Sequence, residues 1–157
     1  MLIPIPAPRA LDLVFPFTVV EGKAYSTSKQ IFEAENQAAV SGACALKLRL
    51  DLNDLIKPER IRSGTCTSSL SIDIKPALFF SVCTQGPIHE LWVHWTIMEN
   101  GVRIFQSKLE YSCNALLLEQ GKELLLKLNN VGLWGTGSFM ESVIERLGIV
   151  AKPASQS

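Results

Sequence analysis

The run from Leu91 to Leu147, LWVHWTIMENGVRIFQSKLEYSCNALLLEQGKELLLKLNNVGLWGTGSFMESVIERL, constrains the fold more than any other part of the chain. It reads as three long antiparallel strands followed by a capped amphipathic helix. The first two strands, within Leu91 to Cys113, meet at Asn100-Gly101, and residue chemistry discriminates between two registers. A two-residue loop would set Ile97 against Ile104, Trp95 against Gln106 and Val93 against Lys108, apolar phase against polar phase. A three-residue loop, Glu99-Asn100-Gly101 with Gly101 left-handed, sets Trp95 against Phe105, Val93 against Ser107 and Leu91 against Leu109. A one-residue slip turns every side chain to the opposite face, so the pattern selects the three-residue loop. A turn over Glu119 to Lys122 then returns a third strand, with Leu124 opposite Leu117, Leu128 opposite Cys113 and Asn130 opposite Tyr111.

One face of this sheet is apolar and must be covered. Ser138 with Glu141 forms a capping box, Gly148 marks a stop, and Phe139, Met140, Val143, Ile144 and Leu147 make one stripe at helical spacing, so the last helix is the expected cover. Upstream, Leu11 to Val20 reads as a strand with Pro16 placing it at an edge or bulge. Ser26 to Val40 reads as a helix, with Thr27 and Gln30 as its capping box and Gly42 as its stop. Cys44 to Leu52 and Thr65 to Lys75 alternate as half-buried strands on either side of the Asn53 to Gly64 connection, and Ala77 to Cys83 is a shorter apolar strand. The expectation is an α+β fold of about seven mainly antiparallel strands, one helix in the N-terminal half and a short C-terminal helix over the sheet. This element order resembles the helix-grip arrangement of START-like domains, which implies a curved sheet gripping a helix around an apolar cavity. A lipocalin-like β-barrel or a sandwich with an accessory helix stays open.

At 157 residues and 47% hydrophobic, the chain suffices for one globular domain. We set it at 11–150, after an extended lead-in over 1–10 and before a flexible tail over 151–157. Fifteen basic residues balance fifteen acidic ones without clustering, which argues against nucleic acid as a partner. No apolar run reaches the roughly 18 residues of a spanning helix, so no integral membrane segment is expected. Four prolines in the first sixteen residues do not make a signal peptide, although a removed signal would leave secretion open. Cys44, Cys66, Cys83 and Cys113 contain no C-x-x-C pair, and free buried thiols are favoured over disulfides, which slightly favours a cytoplasmic location. His89 and His94 have no short-spaced cysteine pair beside them, so no metal site and no cofactor are expected.

The candidate ligand-binding residues are Trp95, Arg103, Phe105, Ser107, Tyr111, Asn130 and Trp134. They share the phase of the apolar face, and small-molecule pockets combine apolar walls with a few convergent polar groups. Tyr111 could equally satisfy Asn130 as a buried pair. No catalytic residue is assigned: His94 falls on the outward, solvated face, and no motif places a nucleophile beside it. Gly132, Gly135 and Gly137 read as a strand-to-helix bend. The function expected is non-catalytic binding of an apolar small molecule or lipid in a cavity between sheet and helix. Two alternatives stand beside it. One is a cavity enzyme of cyclase or isomerase type. The other is a protein-interaction or homo-oligomerising domain using an outward patch of Trp92, Thr96, Ile104, Leu116, Leu118 and Leu125.

Overall fold

The structure, a computed structural model, describes residues 15–24, 30–62 and 77–151. Its elements in chain order are β1 (Thr18–Lys23), α1 (Ile31–Arg62), β2 (Phe79–Gln85), β3 (Ile88–Glu99), β4 (Val102–Asn114), α2 (Leu118–Trp134), a kinked segment over Gly135–Phe139, and α3 (Met140–Val150). The four strands form one mixed sheet in the order β1-β2-β3-β4. β1 runs parallel to β2, and the other neighbours are antiparallel. The α+β class stands, but the expected set of about seven antiparallel strands does not. Two of those strands are helices, and Thr65 to Lys75 lies outside the described residues.

The largest correction is α1, which continues through the expected stop at Gly42 and the expected strand Cys44 to Leu52. From Ser41 to Leu55 the chain has no β-branched residue and is rich in Ala, Leu, Lys and Arg, so intrinsic helix preference overrides the alternation. The buried positions Ala34, Ala38, Ala45, Leu46, Leu52 and Ile56, with Gly42 among them, follow helical spacing. Half of the six are alanine. The inner stripe therefore has little hydropathic contrast, while the conspicuous leucines at 46, 48, 50 and 52 imitate a strand.

The same preference makes α2 a helix where a third long strand was expected. Glu119 to Lys122 forms its first turn, closed by a Lys122 to Glu119 ion pair at 2.8 Å. Asn114 ends β4 by accepting the Leu116 N–H at 3.0 Å, and its own N–H donates to Gln120 Oε1 at 2.9 Å.

The β3–β4 hairpin adopts the register that the hydrophobic pattern disfavoured. Glu99 pairs with Val102, and both loop residues have positive φ, 51° at Asn100 and 78° at Gly101. Asn-Gly suits this two-residue turn, whose twist matches the strands. Trp95 consequently faces Gln106, Ile97 faces Ile104 and Val93 faces Lys108. The mismatch is tolerated because the turn end is not enclosed: Met98, Val102 and Phe105 are exposed. A bulge between Leu91 and Trp92 then shifts the pairing so that Leu91 meets Tyr111 and His89 meets Cys113.

α1 covers one sheet face, where Ala45 and Leu46 pack with Phe79 and Val19, and Ala34 and Ala38 pack with Cys83 and Trp92. Trp92, expected in an outward patch, thus lies beneath a helix. α2 covers part of the other face through Leu124, against Val82, Leu91 and Cys113. α3 packs against α1 rather than over the sheet. Phe139 and Val143 of its expected stripe are buried, while Met140, Ile144 and Leu147 stay exposed. Of the cysteines, Cys83 and Cys113 are buried and free, as expected, whereas Cys44 is exposed because α1 turns it outward; Cys66 lies outside the described residues.

α1 approaches the sheet closely at Gly42, where an added Cβ would lie 2.9 Å from Cγ and Nδ1 of the His94 ring. Alanine would gain about 1 kcal/mol of helix propensity. The buried ring has no room to move, so we expect a net loss of about 1–3 kcal/mol from overpacking for Gly42→Ala. Urea unfolding of the two proteins measures the sign; a stabilised variant would contradict the contact.

Candidate functional site

The residues expected to line one cavity are dispersed. Trp95, Arg103, Phe105 and Ser107 lie toward the turn end of the hairpin, with Arg103, Phe105 and Ser107 exposed. Tyr111 donates its hydroxyl to the Gln120 carbonyl at 3.2 Å, at the start of α2, in place of the anticipated bond to Asn130. Asn130 and Trp134 alone come together, along a groove between α2 and the sheet.

His94 was expected to be solvated, yet it is 4% exposed because β3 turns it toward α1. Its Nε2 shares a 2.8 Å hydrogen bond with Ser81 Oγ, and Ser81 is fully buried. This pair has the residue types of a nucleophile and its base, but α1 seals it from any substrate. Burial pushes the imidazole down to about 4, so it is neutral at ordinary pH.

An accessible constellation of polar groups lies at the sheet edge. Glu21 and Lys23 flank Gly22 on β1 and share the side of Val19, which packs against the α1 cluster. α1 meets them with Gln37 and Ser41. Lys23 Nζ donates to Gln37 Oε1 at 2.6 Å, and Ser41 Oγ donates to Glu21 Oε1 at 3.4 Å. Glu21, Asn36, Gln37, Val40 and Ser41 line an open cleft of about 510 Å³. These residues lie beyond Val20, where the apolar run of the expected first strand ends, so the sequence pattern does not single them out. The signal was a carboxylate and an ammonium two positions apart, and it becomes meaningful only once β1 is known to continue through Lys23.

The surrounding field is acidic. Glu21, Cys83 and Glu90 form one row across β1, β2 and β3. The Glu35 carboxyl on α1 is pushed up by burial and by Glu90 beside it. The Cys83 thiol is pushed up to about 11, first by burial and then by Glu90 and Glu35. Among the described residues no three His, Cys, Asp or Glu side chains gather to hold a metal ion, and no helix is long and apolar enough to cross a membrane.

Residues 6–142 match the family model described as Domain of unknown function (DUF7924). The chain belongs to this family. No curated protein and no solved structure matches it. The match spans β1, α1, the whole sheet and α2, so both the Glu21 cleft and the His94–Ser81 pair lie within the DUF7924 region.

The buried histidine makes stability depend on pH with a defined sign. Unfolded, the imidazole takes a proton near 6.5; folded, only near 4. Between those values the unfolded chain binds more protons, so stability falls as pH drops, by up to about 1.4 kcal/mol per pH unit. Denaturant titrations at steps across this window should show that slope. In His94→Gln it should shrink; an undiminished slope would assign the effect to other groups.

Proposed function

We propose that the cleft between β1 and α1 is a hydrolytic site for phosphate esters that works with a divalent cation. The observation that carries this reading is the placement of Glu21 and Lys23 on one side of an edge strand, facing Gln37 and Ser41 of α1. Phosphoryl transfer asks little covalent chemistry of a protein; it needs positioning and charge stabilisation. A single carboxylate suffices to start a magnesium site, because Mg²⁺ usually keeps several waters and takes its other oxygens from the substrate phosphate. Glu21 would supply that carboxylate. Lys23 would meet the phosphoryl oxygens as a point charge, with Gln37 holding its ammonium in place. Glu21 would hold the cation together with water and substrate oxygens, and the chemistry such an ion would supply there is Lewis-acid charge stabilisation of the phosphoryl group and a lowered pKa for water. The acidic row of Glu21 and Glu90, with Glu35 close by, favours a cation at this face.

This reading departs from the balanced-charge argument against nucleic acid, since a cation can take the place of a basic stripe at a single phosphate. It makes no use of the groove beside Trp134.

The test is hydrolysis of bis(p-nitrophenyl) phosphate and of a labelled oligonucleotide with Mg²⁺ or Mn²⁺. Activity should vanish with chelator and fall by about 100-fold or more in Glu21→Gln and in Lys23→Met, a typical cost of removing one charge-stabilising group. No metal-dependent turnover in the wild type, or full activity in Glu21→Gln, would sink the proposal.

A further inference from the structure

The groove between α2 and the sheet is separate from the Glu21 cleft, on the opposite sheet face. Phe80, Leu91 and Val93 form its sheet wall, and Val131 with Trp134 forms its helix wall. Its volume is about 290 Å³, at the small end for ligand sites. Trp134 is braced by neighbouring rings. The indole meets Phe80 edge-on at 5.4 Å, Phe17 edge-on at 6.3 Å and Phe139 at 5.1 Å. Gly135 is part of this arrangement, because an added Cβ there would collide with the Phe17 ring. An aromatic wall braced by its neighbours is organised before a ligand arrives, which lowers the ordering cost of binding.

Three polar side chains reach the groove: Glu110, Lys127 and Asn130. The two charges already have partners. Lys127 Nζ is 3.6 Å from Glu123 and 5.1 Å from the centre of the Tyr111 ring, and Glu110 is 4.0 Å from Lys108. Asn130 contributes an uncharged amide that can donate and accept. The groove therefore has flat apolar walls, one neutral hydrogen-bonding group and charges balanced by their neighbours.

We propose that this groove is a second binding site, for a small, flat, uncharged molecule with one hydrogen-bonding edge. Trp134 and Val93 take the flat faces, and Asn130 reads the polar edge. The proposal locates the expected apolar small molecule on two of the residues named from sequence, and it does not depend on the hydrolytic reading of the Glu21 cleft.

Naphthol and naphthalene are the probes, titrated calorimetrically into the full chain. Naphthol should bind saturably at one site. Val131→Trp fills the groove from the helix side and should weaken that binding by about tenfold or more, with circular dichroism showing the fold intact. Asn130→Leu, on an exposed position, keeps the walls and removes the amide, so it should weaken naphthol and leave naphthalene unaffected. Absence of saturable binding overturns the proposal, as does wild-type affinity for naphthol in both variants. Equal weakening of both probes in Asn130→Leu would overturn the role given to Asn130.

Discussion

α1 can lie directly on the sheet because its inner side is built from Ala34, Ala38, Gly42 and Ala45, and the sheet below presents Phe79, Cys83 and the His94–Ser81 pair. Small residues on one surface allow larger ones on the other to fill the layer without voids. The contact also organises the rest of the fold. β1 leads into α1 and α1 leads back toward β2, so docking this helix places β1 parallel to β2 at the sheet edge. With the helix held there, Gln37 and Ser41 come opposite Glu21 and Lys23.

The buried imidazole is the costly part of this arrangement. A histidine in an apolar layer must stay neutral and find a partner, and Ser81 provides one at 2.8 Å. The outcome is a buried polar pair, while the polar groups open to water lie at the sheet edge. On the other face, α2 buries only Leu124 fully, and Leu118, Leu125, Leu126 and Leu133 remain exposed. That partial cover leaves room for the groove beside Trp134.

A kink within Gly135–Phe139, where Gly137 leaves the helical conformation (φ −100°, ψ −109°), joins α2 to α3. It directs α3 away from the sheet and onto α1, where the Arg49 guanidinium lies 4.7 Å from the centre of the Phe139 ring and also donates to the Leu78 carbonyl at 3.3 Å. Burial, and Arg146 nearby, push Arg49 down to about 10. A cation over an aromatic face in a partly desolvated setting holds the three layers together at this corner.

From the sequence alone, the α+β class, the hairpin at Asn100-Gly101, an apolar strand ending near Cys83 and a helix after Ser138 were all legible, because each rests on local chemistry. A turn residue or an apolar run is a property of a few neighbours, although the expected Ser138–Glu141 capping box does not form and α3 begins without a side-chain cap. The long helix was not legible, since its buried stripe is mostly alanine and glycine and its leucines happen to alternate. The hairpin register differs from the expected one because the Asn-Gly turn outweighs the cross-strand pattern where the strand ends project beyond the helices and can pair apolar with polar residues. Only the tertiary structure decided that His94 is enclosed, that Trp134 and Asn130 share a groove while Tyr111 bonds elsewhere, and that Glu21 and Lys23 face Gln37. The enclosure of His94 and the meeting of Glu21 and Lys23 with α1 join residues far apart in the chain and exist only once α1 has docked, whereas the groove at Asn130 and Trp134, both on α2, depends on how that helix lies across the other face.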